Sequence, residues 1–113
     1  MSSRWHFNLA QALLEAGLDP ALASHAEPTE IFCNDVAQLV SRAYLQGQVS
    51  WGAADAVVNH LHFFILGCPT FPKYAWGVYE AFDAGEYHPD SPELSDEAVT
   101  KAALIAQGAG EHA

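Results

Sequence analysis

Three sets of residues in this chain have the types and spacing that chemistry requires. The first is His60-Leu61-His62 with Asp55 and Asn59 upstream. On a helix, two residues apart means roughly 200° of rotation, so His60 and His62 diverge and do not share a ligand. Asp55, Asn59 and His62, at i, i+4 and i+7, do share a face. That set has the shape of a metal or hydrogen-bonding site, and on a helix of this apolarity the expected outcome is a hydrogen-bonded polar strip. The second set is Glu86, His88 and Asp90, grouped in a proline-bounded turn. Carboxylates and an imidazole so placed hold a divalent ion or move protons. The Asp-rich calcium spacing is absent, and a solvated acidic turn is expected. The third is Cys33 and Cys68, which form no Cys-x-x-Cys pair and no zinc spacing. A cysteine with a distant histidine makes a nucleophilic pair, but Cys33 lies on an apolar helix face and reads as packing. Both cysteines are expected to be reduced thiols. No Gly-x-Ser-x-Gly, phosphate-cradling glycine loop or His-Glu-x-x-His occurs. No catalytic residue, metal or cofactor is assigned, and the chain is not expected to be an enzyme.

The stronger signal is charge. Fourteen Asp and Glu face four Lys and Arg, for a formal net charge of −10. Such a field repels nucleic-acid phosphate and anionic lipid surfaces, and it steers basic partners inward. The charge is also unevenly spread. Glu80, Asp83, Glu86, Asp90, Glu93, Asp96 and Glu97 make up half the carboxylates, and no cation lies between Lys73 and Lys101. Tyr79, Tyr87 and His88 are interleaved. Carboxylates that speed encounter and tyrosines that hold contact are what a surface for a basic protein needs. The residues assigned to it are Tyr79, Glu80, Asp83, Glu86, Tyr87, His88 and Asp90. The competing reading is an ordinary solvated face, with Tyr79 in the core and the charge serving solubility.

These residues must be carried by helices, because no alternating strand pattern and no hairpin dipeptide appear. One segment runs from about Ser3 to Ala16 on a Trp5, Leu9, Ala12, Leu13, Ala16 stripe and stops at Gly17. Asp19-Pro20 predicts a short helical turn to about Ser24. Thr29 predicts a cap for a second helix ending at Gly47, with Phe32, Val36, Leu39, Val40 and Ala43 on one face. Ser50 caps a third, to Gly67, that is apolar on most sides and therefore central; Val57, Leu61 and Ile65 share its face. Pro72 suits the first position of a fourth helix, which Gly85 ends. Ser95 caps a fifth, carried to Gly108 by Val99, Ala102, Ala103 and Ile105. The predicted fold is all-α, a compact bundle of four or five helices forming one domain over residues 1–113, with a frayed tail after about residue 108. Met1-Ser2-Ser3-Arg4, followed by Trp5, His6 and Asn8, does not read as a signal peptide, and the longest apolar stretch, Leu61 to Gly67, is too short to span a membrane, so a cytoplasmic location is expected.

The pattern Tyr44-Leu45-Gln46-Gly47-Gln48-Val49-Ser50, then a capped central helix, then Val78-Tyr79-Glu80-Ala81-Phe82-Asp83-Ala84-Gly85-Glu86-Tyr87, resembles small helical bacterial immunity proteins, nearest the colicin D immunity type. The resemblance spans about residues 40 to 105. It implies an acidic helical bundle that binds and blocks one cognate toxin, often a basic nuclease. It assigns no individual residue. Two other classes compete with it. One is a small-molecule- or metal-binding domain, or an enzyme, with Trp51, Phe63, Phe64, Phe71 and Trp76 lining a pocket. The other is self-association through the apolar surface of the third helix.

Overall fold

The computed structural model describes residues 3–25, 27–89 and 93–107 of the chain. Five α-helices follow in order: α1 (Ser3–Glu15), α2 (Glu30–Leu45), α3 (Trp51–Leu66), α4 (Lys73–Glu86) and α5 (Asp96–Ala106), with a 3₁₀ helix over Pro20–His25. The described residues contain no strand. The Cα radius of gyration is 13.3 Å, close to the value of about 13 Å for a packed domain of 100 residues. The fold is the all-α bundle that the sequence predicts. Among the described residues no helix is long and apolar enough to cross a membrane.

The helix starts are set locally. Thr29 Oγ1 accepts from Phe32 N–H at 3.2 Å, Ser50 Oγ from Ala53 N–H at 3.2 Å, and Ser95 Oγ from Ala98 N–H at 3.1 Å. Each cap satisfies one backbone donor that the helix itself leaves unpaired. The stops at Gly17 and Gly47 are local too. Both glycines have φ of 77°, the left-handed conformation that ends a helix without a side-chain clash. The start of α4 is different. Pro72 precedes Lys73 in the cap position and offers no capping side chain. Asn34 of α2 supplies the acceptor instead, its Oδ1 taking Ala75 N–H at 2.9 Å.

Helix α3 lies at the centre, packed on α1, α2 and α4. Its Ala54, Val57, Val58, Leu61, Phe64 and Ile65 are buried. Phe64 is ringed by Trp5 and His6 of α1 and Phe32 of α2, at centroid distances of 5.7, 5.6 and 5.6 Å. A second cluster forms where Phe82 of α4 meets Tyr44 and Trp51.

The outer helix departs from expectation. Of the stripe read for α5, Val99 and Ala103 are half-buried, whereas Ala102 is exposed and Ile105 is 67% exposed. The buried residues are Thr100 and Leu104. Thr100 is drawn inward because its hydroxyl accepts Trp51 Nε1–H at 2.9 Å. Tyr44 OH donates to Glu97 O at 3.4 Å, a second tie to the same helix. Ser41 is likewise buried, beside the Tyr74 hydroxyl, although its type places it on the polar face of α2; Leu39, read as core, is largely exposed.

Gly85 does not end α4, which continues to Glu86. Its lack of a Cβ lets α5 approach. A Cβ there would collide with Thr100 Oγ1 and lie 2.8 Å from Asp96 O. Gly77, two turns earlier, is covered in the same way by Gln107. Gly85→Ala is expected to cost about 1–3 kcal/mol through overpacking, despite alanine's better helix propensity. Gly52, on α3, faces open space. There the same substitution should stabilise by up to about 1 kcal/mol. Urea midpoints of the two variants moving in the same direction would contradict this account of α5 docking.

Candidate protein-binding face

Helix α3 carries Asp55, Asn59 and His62 at i, i+4 and i+7, and α4 carries Tyr79, Asp83 and Glu86 at the same spacing. The two strips face each other and run in opposite directions. Early in α3, Asp55 meets Glu86 and Asp83 from late in α4. Late in α3, the His62 ring stacks on Tyr79 from early in α4, with centroids 4.3 Å apart and planes 7° from parallel. One end of the seam is therefore acidic and the other aromatic.

At the acidic end, Asn59 Nδ2 donates to Asp55 Oδ2 at 3.2 Å. Asp55 Oδ1 is buried and receives no donor. Glu86 lies alongside the Asp55 carboxyl, and a carboxyl held beside another acid favours its own protonated form. Burial first, then the Glu86 carboxylate, then Asp83, push the Asp55 carboxyl up to about 7, and the Asn59 amide pulls the other way. Both charged groups acting on Asp55 are negative. Tyr79 feels the same field: burial, then Asp83, Glu86 and Asp55 hold its hydroxyl in the neutral form beyond the usual range.

This arrangement predicts a sign for the pH dependence of stability. Unfolded, Asp55 loses its proton near 3.8; folded, it keeps it to about 7. Between those values the folded chain binds more protons, so this group's contribution to stability falls as pH rises. Asp55→Asn keeps the shape and removes the charge. It should flatten that fall and, above neutrality, stabilise the chain by about 1–2 kcal/mol after allowance for solvent screening. Urea midpoints at about pH 5 and about pH 8 measure it; identical slopes for parent and variant would refute the assignment.

At the aromatic end the stack continues. Trp76 lies 5.2 Å from Tyr79, and Phe71 lies 5.8 Å from Trp76. On the α3 side His62 contacts Phe63 at 6.2 Å, and Phe63 contacts Trp5 at 5.9 Å. Phe63 is 45% exposed and Phe71 51%. The result is a partly exposed aromatic ledge beside a group of carboxylates.

The residues assigned from sequence fall as follows. Tyr79 is neither free nor in the core, but half-buried between His62 and Trp76. Glu80, Asp83 and Glu86 are exposed on α4. Tyr87 caps the end of α4 and is 77% exposed. His88 turns to α5, where its Nε2 lies 2.9 Å from Asp96 Oδ1 and its side chain is only 16% exposed. Asp90 lies outside the described residues. Asp55, His62 and Trp76 join the face without having been assigned to it. The available signal was the repeated i, i+4, i+7 spacing, which marks two polar strips able to pair across neighbouring helices.

Among the described residues no three His, Cys, Asp or Glu are placed to hold a metal, and no pocket is enclosed. Of the five aromatics of the pocket reading, Phe64 is in the core, Trp51 is tied to Thr100, and Phe63, Trp76 and Phe71 belong to the ledge. Comparison with known protein families, curated proteins and solved structures finds no match.

Proposed function

We propose that this chain is a binding protein whose α3–α4 face recognises a basic protein, in the manner of an immunity protein that neutralises a toxin. The observation that supports it is the placing of Asp55. A half-buried carboxyl is set against Glu86 and Asp83, with only negative charge acting on it, at one end of a seam whose other end carries exposed aromatic rings. Within the chain that placing opposes stability. A guanidinium or ammonium from a partner would relieve it, displacing the Asp55 proton and pairing with the carboxylates. The rings at the other end of the seam offer further apolar contact and a dry margin around the charged pair. Charge spread for solubility alone gives no reason to bury one carboxyl against two others.

The test is association kinetics with the basic partner captured from the native host, across ionic strength. The variant carries Asp55→Asn, Asp83→Asn and Glu86→Gln together. Slowed association at low salt supports the reading. Wild-type rates at low salt would leave the acidic face a solubility feature.

A further inference from the structure

The sulfurs of Cys33 and Cys68 lie 3.5 Å apart, although 35 residues separate them in sequence. Both are free thiols. Cys33 sits in the first turns of α2 and is fully buried. Cys68 follows Gly67, the residue that caps α3, and is partly exposed. The segment bearing Cys68 is held against the entry to α2, since a Cβ on Gly67 would come within 3.0 Å of Pro28 Cβ. Cys68 Sγ also contacts Phe64 O at 3.2 Å, which fixes its side chain toward the interior. The contact therefore comes from two neighbouring chain segments packed together.

We propose that Cys68 and Cys33 form a thiol-modification site that takes a low-molecular-weight disulfide of the glutathione class and closes to an intramolecular disulfide. Bond formation needs the sulfurs to approach from 3.5 Å to about 2.05 Å. Side-chain rotation at Cys68, in a loop position after the helix end, supplies such a movement.

Exposure orders the steps. Cys68 is the more exposed of the two residues, so its thiolate, once the side chain rotates off Phe64 O, attacks one sulfur of the small disulfide. A mixed disulfide forms on Cys68, and one small thiolate leaves. Cys33 then gives up its proton and attacks Cys68 Sγ. The Cys33–Cys68 bond forms, and the second small thiolate departs. The protein loses two electrons and two protons, and the reagent is reduced to two thiols. Burial, reinforced by the neighbouring Cys68, holds the Cys33 thiol well above the ordinary cysteine range. The second step is therefore the slow one, and it accelerates as pH rises.

The experiment treats the full chain with oxidised glutathione and follows intact mass without reductant. The expected product is a monomer lighter by two hydrogens, reached through a transient single adduct. Its urea midpoint should rise by about 1–2 M, because the bridge closes a 35-residue loop in the unfolded chain. Cys33→Ala should stop at a stable adduct on Cys68, and Cys68→Ala should take no reagent while folded. A native chain that stays unmodified, ends as a permanent adduct, or links into dimers would overturn the proposal. None of these outcomes depends on the partner-binding reading.

Discussion

Phe64→Ala is expected to remove about 3–5 kcal/mol of stability. The ring is fully buried at the centre of the bundle, and its aromatic neighbours come from two other helices. Trp5 and His6 approach it from α1, and Phe32 from α2. Truncation loses the transfer energy of the ring and leaves a cavity between rigid aromatic walls, which relax poorly into the space. Native domains have only about 5–15 kcal/mol in total, so the loss is a large share of stability. The measurement is the urea midpoint, with thermal unfolding as a second readout. Phe63, the adjacent residue on the same helix, is the internal control. It is 45% exposed and touches the outer ledge, so Phe63→Ala should cost about 1 kcal/mol or less. Comparable losses at the two positions would mean that α3 is not oriented as described.

Neutralising Asp55, Asp83 and Glu86 together should slow association with the basic partner by about 10–100-fold at low ionic strength. The three carboxyls lie at one end of one seam, and the field of that cluster reaches a partner before contact does. Three of the chain's fourteen acids are removed, so a uniform charge effect would be modest, whereas a localised one is not. Near 1 M salt the Debye length is about 3 Å, and the rates of parent and variant should converge. Tyr87→Ala probes the complementary role. Tyr87 is 77% exposed at the end of α4, and if it anchors the partner its loss should speed dissociation and leave association largely unchanged. A triple variant that keeps the parent's salt dependence would remove the electrostatic basis of the proposed function. Asp55→Asn alone is expected to stabilise the chain above neutrality, and the urea midpoint of the triple variant, measured alongside, separates weaker binding from unfolding.

Segment ends were legible in the sequence wherever they depend on neighbours within a turn. Thr29, Ser50 and Ser95 cap helices through bonds to residues three positions on. Gly17 and Gly47 stop helices through their own backbone angles. The central place of α3 was legible as well, because a helix apolar on most sides has to be covered on most sides. The clustering of acid and tyrosine near α4 is a matter of composition and needs no fold to be seen.

What sequence could not supply are relations between helices. Residue type makes Gly85 a stop, and the approach of α5 makes it a packing surface. Thr100 and Ser41 are polar by type, yet both are buried, Thr100 because Trp51 donates to its hydroxyl. Cys33 and Cys68 become a pair only where the end of α3 meets the start of α2. Asp55 is the clearest case. Its spacing with Asn59 and His62 was readable along one helix, but its proton is governed by burial and then by Glu86 and Asp83, about thirty residues further on. Sequence by itself determined which segments are helical and which is central, because caps, stops and apolar periodicity act over a few residues. Tertiary structure alone decided which polar strips meet and which titratable groups share a site, because burial and Coulomb forces act through space between residues far apart in the chain.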